Sequence, residues 1–109
     1  MATAEVLRER LAGPVIAMTT HFTDDYSLDL AAMQRLTEYY VEECVPTVIV
    51  TGSTGEYGAL TGEERTAVQK IIIDTAAGSD MTVIAGISDM ASLKSIDHAK
   101  AAADLGAHG

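Results

Sequence analysis

Three short apolar runs punctuate the chain at nearly even intervals: Val15-Ile16-Ala17-Met18, Val48-Ile49-Val50 and Val83-Ile84-Ala85. A continuous, β-branched run of this length is the mark of a strand buried on both faces. After each run the pattern switches to helical spacing. Leu28, Ala32, Leu36, Tyr39 and Tyr40 place a helix near 28–43. Ser27 is its predicted N-cap. Val68, Ile71, Ile72 and Thr75 place a second near 62–77. Thr61 and Glu64 form its capping box, and Gly78 ends it. Ile96, Ala99 and Ala103 place a third near 93–105, with Ser92 as cap and Gly106 as stop.

The pattern is therefore (βα)₃, with strands near 14–20, 47–52 and 82–87. Consecutive βα units give a parallel sheet with right-handed crossovers and both faces covered. Eight such units make roughly 250 residues, the size of a (β/α)₈ barrel. The chain has 109 residues and ends at Ala107-His108-Gly109, where a fourth strand would begin. The expectation is an incomplete TIM-barrel segment occupying residues 1–109. A three-stranded flavodoxin-like remnant is the competing reading, although that class usually carries five strands.

Composition narrows the partners. Net charge is −9, from 16 acidic and 7 basic residues. That balance opposes nucleic acid and anionic membrane as partners. Trp is absent and Phe22 is the sole Phe. No base-stacking surface is therefore expected. No apolar run approaches the roughly 18 residues of a membrane span. The charged segment Met1–Arg10 has no signal core. A single cysteine, Cys44, fits the reducing cytoplasm. His21, His98 and His108 lack metal-ligand spacing, and no cofactor is called for. Of the three, His21 at a strand end is the titratable residue to watch. The neighbouring acidic pairs Asp24-Asp25, Glu42-Glu43 and Glu63-Glu64 read as solvated faces and helix-end charges.

The chemistry concentrates in Gly52-Ser53-Thr54-Gly55-Glu56, which leaves the second strand directly. Two glycines three apart permit positive φ and close approach of a ligand to the backbone. Successive N–H groups can then form an anion-binding concavity. Ser53 and Thr54 add donors, and Glu56 is placed to accept hydrogen bonds and brace the turn. The loop lacks the lysine and spacing of a P-loop and does not match GxGxxG. The repeat register sets Thr20, Ser53 and Ser88 at equivalent positions, each the fifth residue after its leading valine. All three are expected at the C-terminal edge of the sheet, where parallel α/β folds carry their active sites. Their plainer use is to end strands and cap helices.

These residues resemble the dihydrodipicolinate synthase / N-acetylneuraminate lyase family from Gly13 to Gly109. Residues 52–56 look like its G-[ST]-T-G-E signature, and Leu60-Thr61-Gly62-Glu63-Glu64-Arg65 like its L-[ST]-x-E-E-R helix start. Val83-Ile84-Ala85-Gly86 resembles its third strand, Leu105-Gly106-Ala107 its A-G-A helix end, and Thr20-His21-Phe22 its T-P-F element. The resemblance implies a TIM-barrel lyase that binds pyruvate or another 2-oxo acid as an imine on lysine, and that forms homo-oligomers at full length. It implies that Thr54 holds the carboxylate, Ser53 serves the proton relay, and Gly52, Gly55 and Glu56 shape the loop. Ser at 53 is common in the sialic-acid-lyase-like and sugar-acid-aldolase-like branches.

The sequence departs from the family pattern at His21 (usually Pro), Tyr26 and Cys44 (often Gly), and Ser88-Asp89-Met90 (usually of G-A-N type). The imine chemistry needs a desolvated, neutral lysine at a strand end. Lys70, Lys94 and Lys100 all fall in predicted helices. The resemblance places the Schiff-base lysine on the sixth strand and the relay tyrosines in later units. The chain alone is therefore expected to be inactive. The alternative is a 2-oxo-acid-binding or assembly module formed by self-association.

Overall fold

The computed structural model describes residues 3–109. The order is helix α1 (Ala4–Arg10), strand β1 (Val15–Ala17), helix α2 (Leu30–Glu42), strand β2 (Thr47–Val50), a 3₁₀ turn (Tyr57–Ala59), helix α3 (Gly62–Ala76), strand β3 (Thr82–Ala85) and helix α4 (Ser92–Leu105). The three strands form one parallel sheet in the order β1-β2-β3. Consecutive βα units place sequential strands side by side in this way. Register is set by Ile16↔Val48↔Val83 and Ala17↔Ile49↔Ile84.

One face of the sheet is packed. Val48, Val50 and Val83 meet Met33 of α2 and Val68 and Ile72 of α3, all fully buried. A second small cluster joins Ala85, Ala102 and Ala107, with Ile73 against it. The opposite face carries Val15, Ala17, Thr47, Ile49, Thr82 and Ile84, of which Thr47 and Thr82 are buried and the β1 residues are not. Both faces were expected to be covered, yet Val15 is 47% exposed and Ala17 is also open. In a closed barrel that face is filled by side chains from other strands. The free edge of β3 is met by the chain's last residues, with His108 N–H donating to Val83 O and Ala85 N–H to Gly109 O.

Local chemistry moves several boundaries. Helix α2 starts at Leu30, not Leu28, because Leu28 pairs with Phe22 in an isolated antiparallel bridge. Its cap is Asp29 and not Ser27. The Asp29 carboxylate accepts from Ala32 N at 2.9 Å. Ser27 instead closes the tight turn 23–27 through its backbone. Helix α2 ends in a Schellman motif. Cys44 N–H reaches Val41 O and Val45 N–H reaches Tyr40 O. Cys44 itself sits in the left-handed region at φ 56. At α3 both halves of the capping box form, Glu64 N to Thr61 Oγ1 at 3.1 Å and Thr61 N to Glu64 Oε1 at 3.0 Å. Ser92 is the first residue of α4 rather than its cap, and Ala91 caps it without a side-chain bond. Helix α1 lies in the segment read from sequence only as a charged N-terminal stretch, and it buries no side chain fully.

Candidate functional site

The loop that leaves β2 is built on a bend one residue earlier than the glycines suggest. Thr51 sits at φ 52 and Glu56 at φ 57, while neither Gly52 nor Gly55 has a positive φ. The glycines are therefore not there for left-handed backbone. Gly55 is there for space. A Cβ on it would stand 3.0 Å from Thr51 Cα and N and 3.1 Å from Met18 O. Gly86, just after β3, is tighter still, since its Cβ would stand 2.4 Å from Thr51 O. Thr51 is thus gripped from two sides by backbone that only glycine allows.

A buried polar cluster completes the grip. Thr51 is 1% exposed. Its Oγ1 accepts from Gln69 Nε2 at 2.8 Å and donates to Gly86 O at 3.3 Å. Gln69 Nε2 also reaches Gly86 O at 3.3 Å. A β-branched residue in the left-handed region costs about 1–2 kcal/mol, so it persists only where its surroundings fix it. On the other side, Thr20 Oγ1 donates to Gly55 O at 2.6 Å. The turn itself closes with Glu56 N–H to Ser53 O at 3.0 Å and Tyr57 N–H to Gly52 O at 3.3 Å.

Against this frame Ser53 and Thr54 stand exposed, and their hydroxyls have no hydrogen-bond partner among the described residues. Glu56 braces the loop through its backbone only. Its carboxylate accepts nothing from the described residues, and the residue lines a cavity of about 630 Å³ with Phe22, Thr23, Asp24, Tyr26 and Ala59. The expected equivalence of Thr20 with Ser53 and Ser88 fails by one residue. Val15 pairs with Thr47, whereas Val48 pairs with Val83. A one-residue slip turns a side chain to the other face. Thr20, past the end of β1, is buried and spent on Gly55, while Ser88 is exposed.

Two side chains missed in the sequence matter here. Arg65 is 4% exposed, donates from Nη1 to Ser88 O at 2.9 Å, and lies over the Tyr57 ring at 5.3 Å. Its Nε has no partner, and no carboxylate of the described residues lies within ion-pair reach of it. Gln69 is the other. Both fall on the buried stripe of α3 with Val68, Ile72 and Ala76. Polar residues on an apolar stripe were the available signal.

The remaining candidates are elsewhere. Lys70 pairs with Asp74 on the surface of α3, and Lys94 and Lys100 are exposed on α4. His21 meets Thr19 Oγ1 at 3.1 Å. His98 meets Asp89 at 3.1 Å. The Asp89 carboxyl is held below the usual range by the Ala91 N–H and then by His98. Cys44 lies at the far end of the strands, lining a cavity of about 350 Å³ with Val41, Pro46 and Met81. Among the described residues no three His, Cys, Asp or Glu side chains form a metal-binding group, and no helix is long and apolar enough to cross a membrane.

The model of the Dihydrodipicolinate synthetase family matches residues 10–109. The chain belongs to this family. It is 37% identical over 100 residues to a 4-hydroxy-tetrahydrodipicolinate synthase of Chloroherpeton thalassium, a match that covers 92% of this chain and 33% of that protein. The fold superposes on the pyruvate-complexed, chloride-inhibited dihydrodipicolinate synthase of Acinetobacter baumannii with TM-score 0.82 at 34% identity, covering 87% of this chain and 32% of that one. It also superposes on the N-acetylneuraminate lyase of Mycoplasma synoviae, with TM-score 0.84 at 32% identity, covering 91% and 34%. The chain thus spans about a third of the length of the relatives it matches. Its three βα units correspond to the N-terminal part of a dihydrodipicolinate synthetase family TIM barrel.

Proposed function

We propose that this chain supplies the carboxylate-binding wall of a lyase that holds pyruvate or a related 2-oxo acid as a Schiff base. Thr54 and the loop backbone at Gly52 and Gly55 take the carboxylate, and Ser53 passes protons to and from the bound imine. The observation that carries this reading is the pair of unpartnered hydroxyls on a loop whose base is clamped by buried hydrogen bonds. Free donors on a rigid frame bind an anion with little ordering cost. The pyruvate held by the Acinetobacter baumannii relative supports the choice of ligand. The amine that forms the imine lies outside these three units, since each lysine here is on an exposed helix surface. We place the protein in the cytoplasm, where its one thiol, Cys44, stays reduced.

The test is a pyruvate titration of the purified chain followed by thermal unfolding. Saturation to about tenfold over Kd should stabilise it by about 1.4 kcal/mol. Thr54→Val should abolish the shift, and Ser53→Ala should leave most of it. Borohydride added with pyruvate should trap no covalent adduct by mass, and a stoichiometric adduct would contradict the absence of the amine. The open sheet face at Val15 favours a second reading, in which copies associate to form a 2-oxo-acid-binding module without turnover. Sedimentation showing a discrete oligomer whose stability rises with pyruvate would support it.

A further inference from the structure

The direction in which Ser53 and Thr54 point is decided at Thr51, before the loop begins. With φ at 52 the chain leaves the line of β2, and an extended Thr51 would carry Gly52 onward as strand. Thr51 is β-branched and resists the left-handed region, so something must hold it there. Gly55 only leaves room for the bend, and Gly86 adds to its own room one long bond, accepted from Thr51 Oγ1 at 3.3 Å. The shortest bond to Thr51, and the one that ties it to Gly86 from a third element, comes from Gln69. Its side chain is 1% exposed and comes from the middle of α3, a long way along the chain from the rim. It meets two acceptors, Thr51 Oγ1 and the Gly86 carbonyl. The carbonyl fixes the NH₂ end of the amide as the one that faces them. If Thr51 relaxed to an extended conformation, buried donors and acceptors on Gln69 and Gly86 would lose partners with no water to replace them.

We infer that Gln69 is a positioning residue for the 2-oxo acid carboxylate, acting through the strained Thr51 backbone to aim the hydroxyls of Ser53 and Thr54. The ligand part of this inference rests on the function proposed above; the aiming of the loop does not. Gln69 touches no ligand. It works by keeping one peptide in a conformation that the sequence at Thr51 disfavours. A glycine at 51 adopts that conformation without help. The need for Gln69 should therefore vanish when Thr51 is replaced by glycine. A residue that merely stabilised the core would instead loosen α2 and α3 along with the loop when removed.

The experiment compares the full wild-type chain with Gln69→Leu, Thr51→Val, Thr51→Gly and the Thr51→Gly/Gln69→Leu double variant. Hydrogen exchange is read at the Glu56 and Tyr57 amides, which close the loop, against amides inside α2 and α3. Pyruvate affinity is measured on the same samples. Gln69→Leu and Thr51→Val should each speed exchange at Glu56 and Tyr57 by about tenfold or more relative to the helices, and weaken pyruvate by a similar factor. The double variant should return both to within about threefold of Thr51→Gly alone. Equal acceleration of all amides in Gln69→Leu, with pyruvate affinity per folded molecule unchanged, overturns the inference. So does a double variant as loose as Gln69→Leu. If Gln69→Leu fails to fold, a folded double variant supports the inference and an unfolded one overturns it. Should the wild-type chain bind no pyruvate, the proposed ligand falls, while the exchange comparison still decides whether Gln69 aims the loop.

Discussion

Replacing Gly86 by alanine tests the clamp at its tightest point. The new Cβ would lie 2.4 Å from Thr51 O, 2.7 Å from Thr51 C and 2.9 Å from Gly52 N. All three are backbone atoms, so no rotamer change relieves the clash. Ordinary contact starts near 3.4 Å. Reaching it requires the Thr51–Gly52 peptide and β3 to separate by about 1 Å in a close-packed interior. Gly86 N–H is bonded to Val50 O at 2.8 Å, so that separation also strains the strand pairing and the Gln69 contacts. Overpacking with backbone displacement costs typically about 1–3 kcal/mol, and the broken buried bonds add to it. We expect a loss of about 2–4 kcal/mol, at the upper end of single-substitution effects. Gly55→Ala, where the clash with Thr51 is milder, should cost less, about 1–2 kcal/mol. Gly58→Ala meets nothing and should be neutral or slightly stabilising. The assay is urea unfolding of the three variants beside wild type. Equal losses at 86 and 58, or a loss under about 0.5 kcal/mol at 86, would refute the steric argument.

Cys44→Gly and Tyr26→Gly both relieve left-handed backbone at exposed positions. Each should raise stability by about 0.5–1 kcal/mol in thermal unfolding. Thr61→Ala removes the hydroxyl half of the α3 capping box. It should cost about 1 kcal/mol in urea unfolding, with Thr61→Ser near neutral. His108 is held below its ordinary pKa by burial and then by the Arg10 charge. Its neutral Nδ1 accepts from Val83 N at 3.0 Å. A base with a depressed folded pKa leaves the unfolded chain binding more protons. Its contribution is therefore present above about pH 6.5 and lost as pH falls below that. The urea midpoint should drop between about pH 7 and about pH 5, and His108→Gln should flatten that part of the profile.

The alternation of apolar runs and helical stretches was enough to read the parallel βα architecture, because each unit carries its own periodicity and caps. Thr61 and Glu64 illustrate this, since both partners are local. What the pattern hid was set by contacts between units. The one-residue offset of β1 against β2 depends on which strand faces pack, and Thr20 is held in the frame by its bond to Gly55 O, 35 residues away. The two glycines of the loop suggest a left-handed bend, because glycine tolerates it. It falls instead on Thr51, which reads as strand and is held by Gln69 from the following helix. Leu28 fits the helical stripe of α2 yet is taken by its bridge to Phe22. Asp29 was hidden behind Ser27 as a cap because both residue types suit the position.

The most direct measurement on the central claim is an amide chemical-shift titration of the chain with pyruvate, in wild type and Thr54→Val. A 2-oxo acid carboxylate on the clamped loop should shift the amides of Gly52 to Glu56 together, saturably, and leave α1 and the Cys44 end of the sheet unmoved. Thr54→Val should remove the response while keeping the rest of the spectrum. Shifts that centre elsewhere, or that survive Thr54→Val undiminished, would contradict the claim that this loop is the carboxylate-binding wall.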